Sequence, residues 1–440
     1  MLMKRLQMAP EEADIVDLTH AAEGVARIDG KTVFVADALP GERVVLRRTH
    51  RQRKLDHAVT EQVLRASPDR VLPKCPHFGL CGGCALQHLA PDAQLAFKQS
   101  QLLENLSRLG AVHAERLLEP LRGPVWNYRR RARLGIKLVP RKGKVLVGFR
   151  ERSSPYVADL RECHVLVEPV GGLIVPLGQM VEGLTIASRV PQAEVAVSDD
   201  VVALVLRVLD PPVAADLERM AAFEREFSVR IYLQPGGPDT IVPLDPSRPP
   251  APLSYRLPEH GIAIEFQPTD FMQVNGTLNR AMVSLALDLL EPQAADTVLD
   301  LFCGLGNFSL PLARRAGQVV AVEADAGLVQ RARGNAGRNS IPNVEFHVAD
   351  LFKDVTGLPW TLRPYDSVLL DPPRAGAREI LPVVAGSGAR RVVYISCHSG
   401  SLARDAGLLV REHGFRLTAT GVMDMFPHTT HVEAMAVFDR

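Results

Sequence analysis

The sequence predicts a multi-domain α/β protein: a small amino-terminal β-barrel, a central, mostly antiparallel β domain holding a four-cysteine site, and a carboxy-terminal, Rossmann-like, doubly wound α/β domain. Three features predict it. Short β-type runs separated by turn residues crowd residues 12–63, cysteines recur at ligand-like spacing from Cys75 onward, and beyond Thr297 apolar strands alternate with helical patterns. The expected limits of the three parts are 8–68, 69–258 and 259–440.

The chain of 440 residues is long enough for several cores, and 46% hydrophobic with 23% charged residues is an ordinary soluble composition. A formal net charge of +1 does not advertise a polyanionic partner, so one must be argued from local patches. No stretch approaches the apolar length that spans a bilayer, and Met1 to Asp14 lacks the hydrophobic centre of a signal peptide. A cytoplasmic protein with no membrane partner and no obligatory protein partner is the expectation. Six cysteines in such a chain point to metal ligation or catalysis rather than disulfides.

The barrel rests on the runs Ala13–Leu18, Gly24–Gly30, Thr32–Ala36, Glu42–Leu46 and His57–Leu64, with Asp29-Gly30 as a hairpin turn. Small barrels of this kind often bind oligonucleotides on an open face. The basic run Arg47–Lys54 is expected to be a loop. As a solvated surface it needs no function; as a phosphate contact it would make binding strongly salt-dependent.

Cys81 and Cys84 stand at Cys-x-x-Cys spacing with Cys75 six residues earlier, and Gly82 and Gly83 permit a tight wrap between them. Three thiolates need a fourth ligand, and Cys163 is the candidate before the last domain. Zinc and iron–sulfur clusters both accept four thiolates, so spacing leaves the choice open. Gln94–Leu109 reads as an amphipathic helix. If Trp126–Lys137 is a strand, Arg129, Arg131 and Arg133 share one face behind Trp126 and Tyr128. Such a ribbon suits a polyanion with bases free to stack, or is simply a charged sheet face. The proline-crowded stretch Val242–Pro258 marks a boundary.

In the last domain, the strand Thr297–Leu301 runs into a turn with glycines at 304 and 306, and a helix starts near Ser309. Glycines there let the backbone turn sharply and approach a ligand, as both dinucleotide and S-adenosylmethionine (AdoMet) sites require. Strands near Val319–Glu323, Val344–Val348, Ser367–Leu370 and Arg391–Ser396 follow, with Asp300, Glu323, Asp350, Asp371 and Cys397 at their carboxyl ends. Ligands of doubly wound sheets sit at that edge. Glu323 is placed to accept hydrogen bonds from ribose hydroxyls, which does not distinguish NAD from AdoMet.

Gln273-Val-Asn, Asp300-Leu-Phe-Cys-Gly-Leu-Gly-Asn-Phe, Asp371-Pro-Pro-Arg, Ser396-Cys397 and His431-Val-Glu433 together resemble the RNA 5-methyluridine methyltransferase family. The resemblance covers nearly the whole chain, with the amino-terminal barrel similar to an RNA-binding TRAM domain. It implies an AdoMet-dependent enzyme that methylates uracil C5, and the barrel and cysteine motif resemble the branch acting on 23S ribosomal RNA. It further implies a [4Fe-4S] cluster on Cys75, Cys81, Cys84 and Cys163, Cys397 as nucleophile and Glu433 as base. Gln273, Phe302, Asn307, Glu323, Asp350 and Asp371 would line the AdoMet pocket. Ser396-Cys-His-Ser-Gly departs from the Asn-Pro that more often follows the cysteine in the family, which is expected to alter the loop and keep the thiol. The alternatives are the same chemistry on transfer RNA or on two ribosomal sites, and a non-catalytic RNA-binding iron–sulfur protein on a methyltransferase scaffold.

Overall fold

A computed structural model describes residues 9–247 and 252–440. Met8, the first residue of the expected barrel, and part of the proline-rich stretch lie outside the described residues. The chain divides into two compact units. One comprises residues 1–98, 150–156 and 427–430, and the other 99–149, 157–426 and 431–440.

The first unit is built on a closed barrel of β1 (Glu11–Leu18), β2 (Glu23–Ile28), β3 (Lys31–Ala36), β4 (Arg43–Arg51) and β5 (Leu55–Arg65), in the order β1-β2-β3-β5-β4. Strict alternation sends Ala26, Val33, Val35, Val44, Leu46 and Ala58 into one core while their neighbours face outward. Asp29 and Gly30 both have positive φ, 51° and 79°, the twist that suits a two-residue hairpin between β2 and β3.

The basic run is mostly strand rather than loop. β4 continues to Arg51 because its arginines find partners: Arg47 pairs with Glu61 at 2.5 Å, and the buried Arg48 reaches both Glu11 and Asp56 at 2.5 Å. Asp56 is fully buried and also accepts from Lys31 at 2.7 Å. Burial alone would raise its carboxyl, but hydrogen bonds from Lys31, Gln52 N–H and Arg48 outweigh that and hold it below the usual range. Only Gln52–Lys54 remains as the turn.

The second unit carries two large sheets. The first runs in the order Val242–Pro243, Val229–Gln234, Val202–Arg207, Gln192–Val197, Arg131–Val139, Lys144–Gly148. It is antiparallel except where Val202–Arg207 and Val229–Gln234 lie parallel, joined through the helix Ala214–Phe227. The strand with the arginines begins at Arg131, five residues later than expected from Trp126, and the amphipathic helix runs Pro91–Asn105 before a π-helical turn.

The second sheet has eight strands in the order Val344–Val348, Gln318–Glu323, Thr297–Leu301, Ser367–Leu370, Arg391–Ser396, Glu433–Asp439, Arg416–Met423, Arg116–Leu117. The first five are parallel, and all but the edge strand Val344–Val348 are mostly buried apolar runs, as strands covered on both faces must be. Glu433–Asp439 then inserts antiparallel beside Arg391–Ser396. A ribbon of Leu253–Leu257 and Ile262–Phe266 hangs on the helix Ala326–Arg338, where Asn335 and Asn339 side chains accept from Glu265 and Ala263 N–H at 2.9 Å.

Asp56 is the polar anchor of the barrel. Asp56→Ala would leave the buried Arg48 short of a partner, an expected loss of about 3–5 kcal/mol. Chemical denaturation followed through the barrel's own signal measures this, and an unchanged midpoint would contradict the assignment.

Candidate active site

The parallel strands deliver their last residues to one edge. Asp300 sits inside Thr297–Leu301 and is fully buried, and its carboxylate accepts from the Ser309 hydroxyl at the start of the next helix. The turn between them folds back on the neighbouring strand: Phe302 and Cys303 N–H donate to Val322 O at 2.9 and 3.1 Å. Gly304 and Gly306 have φ of 54° and 92°, and Phe302 shares this left-handed region at 67°. For a bulky residue that is a strained conformation, held here by its surroundings, and it brings the Phe302 ring within 5.9 Å of Phe352.

Glu323 ends its strand with both carboxylate oxygens engaged. Oε2 accepts from Gly304 N–H at 3.2 Å, and Oε1 from Ala324 and Asp325 N–H at 2.7 and 3.1 Å. Asp350 follows the adjacent strand. Phe352 N–H and Lys353 hold its carboxyl below the usual range. Asn307 stands in a polar cluster: its Oδ1 accepts from Tyr255 Oη and Asn279 Nδ2, and its Nδ2 donates to Asn279 Oδ1, each at 3.0 Å. Gln273 borders a small cavity with Tyr255, Asn279 and Arg130. Burial pushes the Tyr255 hydroxyl well up, so it stays a neutral donor.

Acid groups at this edge are crowded and desolvated. Burial pushes Asp300 up to about 7, with the charges of Asp371 and Glu323 adding and Ser309 opposing. Burial likewise pushes Asp371 up to about 7. A cation placed against these carboxyls would be strongly favoured, because ionising them without one is costly.

The register of two strands joins the remaining groups. Ser396 lies opposite Ala434, so the next step along that antiparallel pair sets Cys397 against Glu433. Leu370 lies beside Tyr394, which puts Asp371 one residue past the same edge on the next strand. Burial raises the Cys397 thiol to about 11; Glu433 and Asp371 add to this, and Arg374 acts against it. Arg374 Nη2 donates to His431 Nδ1 at 3.2 Å, and His431 stacks edge-on with Phe426 at 5.2 Å. Asp405 ties the turn after Asp371 to the helix after Cys397, accepting from Ala377 N–H and Tyr394 Oη at 2.7 Å. Cys303 is buried, with its thiol raised far from reactivity, and acts as packing.

Thus Asp300, Glu323, Asp371 and Cys397 lie at one edge, where their strand positions put them, and the antiparallel pairing of the last strand brings Glu433 there. Tyr255, Asn279 and Ser309 were not singled out from the sequence. Ser309 was findable as the first helical residue after the glycine turn. Tyr255 and Asn279 lie 52 and 28 residues from Asn307, beyond any local pattern.

Elsewhere the expected ligands are less assembled. Cys75, Cys81 and Cys84 lie in the first unit and Cys163 in the second, all half-buried. Gly83 N–H donates to Cys81 Sγ at 3.4 Å, and Cys163 N–H donates to Gly171 O at 3.0 Å. Among the described residues no group of three or more His, Cys, Asp or Glu side chains is arranged to hold a metal ion. The arginine ribbon is largely committed internally. Arg131 pairs with Glu194 at 3.2 Å and donates to Pro268 O, and Arg129 covers the Phe149 ring at 5.4 Å. Arg133 also meets Glu194, at 2.8 Å, yet its side chain stays 70% exposed.

Two family models match: tRNA (Uracil-5-)-methyltransferase over residues 254–440 and the TRAM domain over residues 10–47. The 23S rRNA (uracil(1939)-C(5))-methyltransferase RlmD of Alkalilimnicola ehrlichii is 53% identical over 438 residues, covering 99% of this chain and 98% of that one. The protein of the same name from Stenotrophomonas maltophilia (strain K279a) is 49% identical over 439 residues, with 99% and 98% covered. The tRNA (uracil-54, C5)-methyltransferase of Pyrococcus abyssi, solved with S-adenosyl-L-homocysteine, shares the fold at a TM-score of 0.74 and 24% identity, covering 97% of this chain and 100% of that one. With a TRAM barrel, a methyltransferase sheet and relatives this similar over their full length, the chain belongs to the RNA 5-methyluridine methyltransferase family, among its RlmD-type members, and is an AdoMet-dependent methyltransferase.

Proposed function

We propose that the protein methylates C5 of one uridine in 23S ribosomal RNA through a covalent bond between Cys397 and uracil C6. The observation that carries this reading is the strand register that sets Cys397 against Glu433 at the edge where Asp371 and Asp300 also end. Uracil C5 is a weak nucleophile, and a carbon base that only had to be held would need neither thiol nor opposed carboxylate.

In the proposed sequence, Cys397 loses its proton to solvent water and Sγ bonds to C6. The C5–C6 electron pair moves into an enolate, and C5 becomes the nucleophile. AdoMet, when bound, supplies an electrophilic methyl group on a sulfonium sulfur. Once C5 carries that methyl, Glu433 removes the C5 proton, the electron pair re-forms C5=C6, and the Cys397 thiolate leaves. Arg374 is the cation that counters the acidic field on the thiol. Gln273, Phe302, Asn307, Glu323, Asp350 and Asp371 line the AdoMet pocket in this reading. Asn307 would do so from a side chain already braced by Tyr255 and Asn279.

C5 is hidden by stacking in a helix, so the target uridine is taken from a loop or extruded. The barrel over residues 8–68 and the exposed Arg133 are assigned to flanking RNA, with 69–258 as the central domain and 259–440 as the catalytic one. Cytoplasmic ribosome maturation is the setting this implies. Among the described residues no helix is long and apolar enough to cross a membrane. The half-buried thiols of Cys75, Cys81, Cys84 and Cys163, with an N–H already directed at Cys81 Sγ, have the donor chemistry of a [4Fe-4S] site. A cluster there would hold loop segments together, and no residue of the proposed reaction calls on it for electrons.

Three outcomes are expected. Incubation with AdoMet and 5-fluorouridine-substituted 23S rRNA fragments gives an adduct that survives a denaturing gel, since fluorine at C5 cannot leave as a proton. Cys397→Ala gives none and falls by at least about 10³-fold in turnover, whereas Glu433→Gln accumulates adduct even on ordinary RNA; an active Cys397→Ala protein would exclude the covalent route. Protein purified without oxygen should contain about four iron and four sulfide per chain. Replacement of the iron by one equivalent of zinc would reject the cluster.

The third outcome concerns pH. In the ligand-free protein Asp300 and Asp371 are protonated below about 7 and charged above it. The cationic AdoMet favours the charged forms, so its affinity is full at alkaline pH and is lost as pH falls through 7, by up to about tenfold per pH unit for each proton displaced. S-adenosylhomocysteine, which lacks the sulfonium charge, should respond less. Titration calorimetry between pH 6 and 8.5 checks this, and a flat AdoMet affinity would separate these carboxyls from the cofactor.

A further inference from the structure

The turn that follows Asp371 is held by the helix that follows Cys397. Pro373 O accepts from Gly376 N–H at 2.9 Å, so Arg374 and Ala375 form the corner of that turn. The helix Ser399–Arg411 starts on His398, whose Nδ1 accepts from Ser401 N–H at 3.1 Å. Its residues Ser401, Arg404 and Asp405 lie against the turn at Gly376.

Asp405 is fully buried and joins three segments. Its Oδ2 accepts from Ala377 N–H and from the Tyr394 hydroxyl, each at 2.7 Å. Its Oδ1 takes the fork of Arg404, at 2.8 Å from Nε and 2.7 Å from Nη2, and Arg404 Nη2 also donates to Ala375 O at 2.8 Å. Tyr394 stands on the strand that leads into Cys397, and Ala375 and Ala377 follow Arg374 in the turn. A buried carboxylate with both oxygens engaged fixes the parts it joins, because moving any of them leaves a charge or a donor unpaired.

Gly376 shows how closely turn and helix meet. Its φ is 85°, and a Cβ there would come within 2.5 Å of both Asp405 Oδ2 and Arg404 Nη2. The backbone around Arg374 therefore has one resting place on the helix. At the other end of the side chain, Arg374 Nη2 donates to His431 Nδ1 at 3.2 Å. Arg374 is thus held by its backbone and by its tip, and it is the cation that acts on the Cys397 thiol against burial, Glu433 and Asp371.

We propose that Asp405 is a positioning residue for methyl transfer: through Ala377 N–H and Arg404 it fixes the turn that carries Arg374, and so fixes the guanidinium charge that acts on Cys397. This rests on the reading of Cys397 as the nucleophile. Asp405 is sealed from solvent and acts through Arg374. An apolar residue of equal size would fill the space and leave Ala377 N–H, Tyr394 and Arg404 without their acceptor, so packing alone does not account for an acid here.

The test uses the full-length protein without RNA or AdoMet. Alkylation of Cys397 by iodoacetamide is followed at several mildly alkaline pH values, by mass spectrometry of its peptide, in wild type, Asp405→Asn, Arg374→Met and the double variant. Asparagine keeps the size but cannot accept on both sides, so the turn is released. A displaced cation favours the neutral thiol, and Asp405→Asn should alkylate about tenfold more slowly, the effect of a thiol raised by about one pH unit. General loosening would expose the half-buried thiol and speed its alkylation, so the sign separates the two roles. Arg374→Met should also be slower, and the double variant no slower than Arg374→Met alone. An unchanged or faster rate in Asp405→Asn, or a further fall in the double variant, overturns the proposal. If Asp405→Asn does not fold, Arg404→Met decides: losing the bond to Ala375 O should slow alkylation in the same direction, and an unchanged or faster rate overturns the proposal equally. In methyl transfer to 23S rRNA fragments, Asp405→Asn should lose about tenfold in kcat with KM for RNA unchanged; a raised KM at constant kcat overturns it. The fluorouridine adduct in the wild type is the separate control: its absence rejects the covalent reading itself, whereas its presence with unmoved alkylation rejects only the role of Asp405.

Discussion

The active edge depends on one pairing, that of Arg391–Ser396 with Glu433–Asp439. A residue slip would turn every side chain of the last strand to the other face, so the apolar pattern of Ala434–Phe438, buried on both sides, fixes where Glu433 stands relative to Cys397. The chemistry of thiol and carboxylate thus inherits its accuracy from packing rather than from the loop. The antiparallel insertion matters for the same reason. A strand entering in the parallel sense would deliver its final residue, Asp439, to this edge and carry Glu433 to the opposite one.

Around that pairing the protein tolerates an accumulation of buried acid. Asp371 and Glu323 act on Asp300, Glu433 and Asp371 act on the Cys397 thiol, and Arg374, hydrogen-bonded to His431, is the cation that opposes them there. The free site is electrostatically unsatisfied by design of its strand ends. Burial and neighbouring acids hold the Cys397 thiol near 11, and a positively charged ligand would relieve the acidic part of that field.

Of the two charged patches that drew attention in the sequence, the ribbon has become mostly structural, while in the barrel run Arg47 and Arg48 are paired and Arg51, Arg53 and Lys54 stay exposed. Arg48, Arg129 and Arg131 spend their guanidinium groups on Asp56, Glu11, Phe149, Glu194 and backbone oxygens. A buried arginine must be paired to be tolerated, and pairing consumes the donors that RNA would have used. Exposure separates these arginines better than their count, and Arg133 is the member of the ribbon that keeps it.

Much was legible in the chain because it is written locally. Alternation marked the barrel strands, Asp29-Gly30 their hairpin, and a glycine turn after an apolar strand the start of the catalytic sheet. Cys397 and Glu433 could be named from short motifs beside strand ends. Tertiary structure decided what depends on distant partners: that Asn307 is clasped by Tyr255 and Asn279, that Asp300 and Asp371 are desolvated enough to titrate near neutrality, and that His398 turns one ring nitrogen into a helix cap. Local residues set the backbone's preferences within a few positions. Burial and hydrogen-bond pairing are set by whatever the fold brings near, so the strand ends that carry these side chains were legible in the sequence and the electrostatic state of the side chains was not.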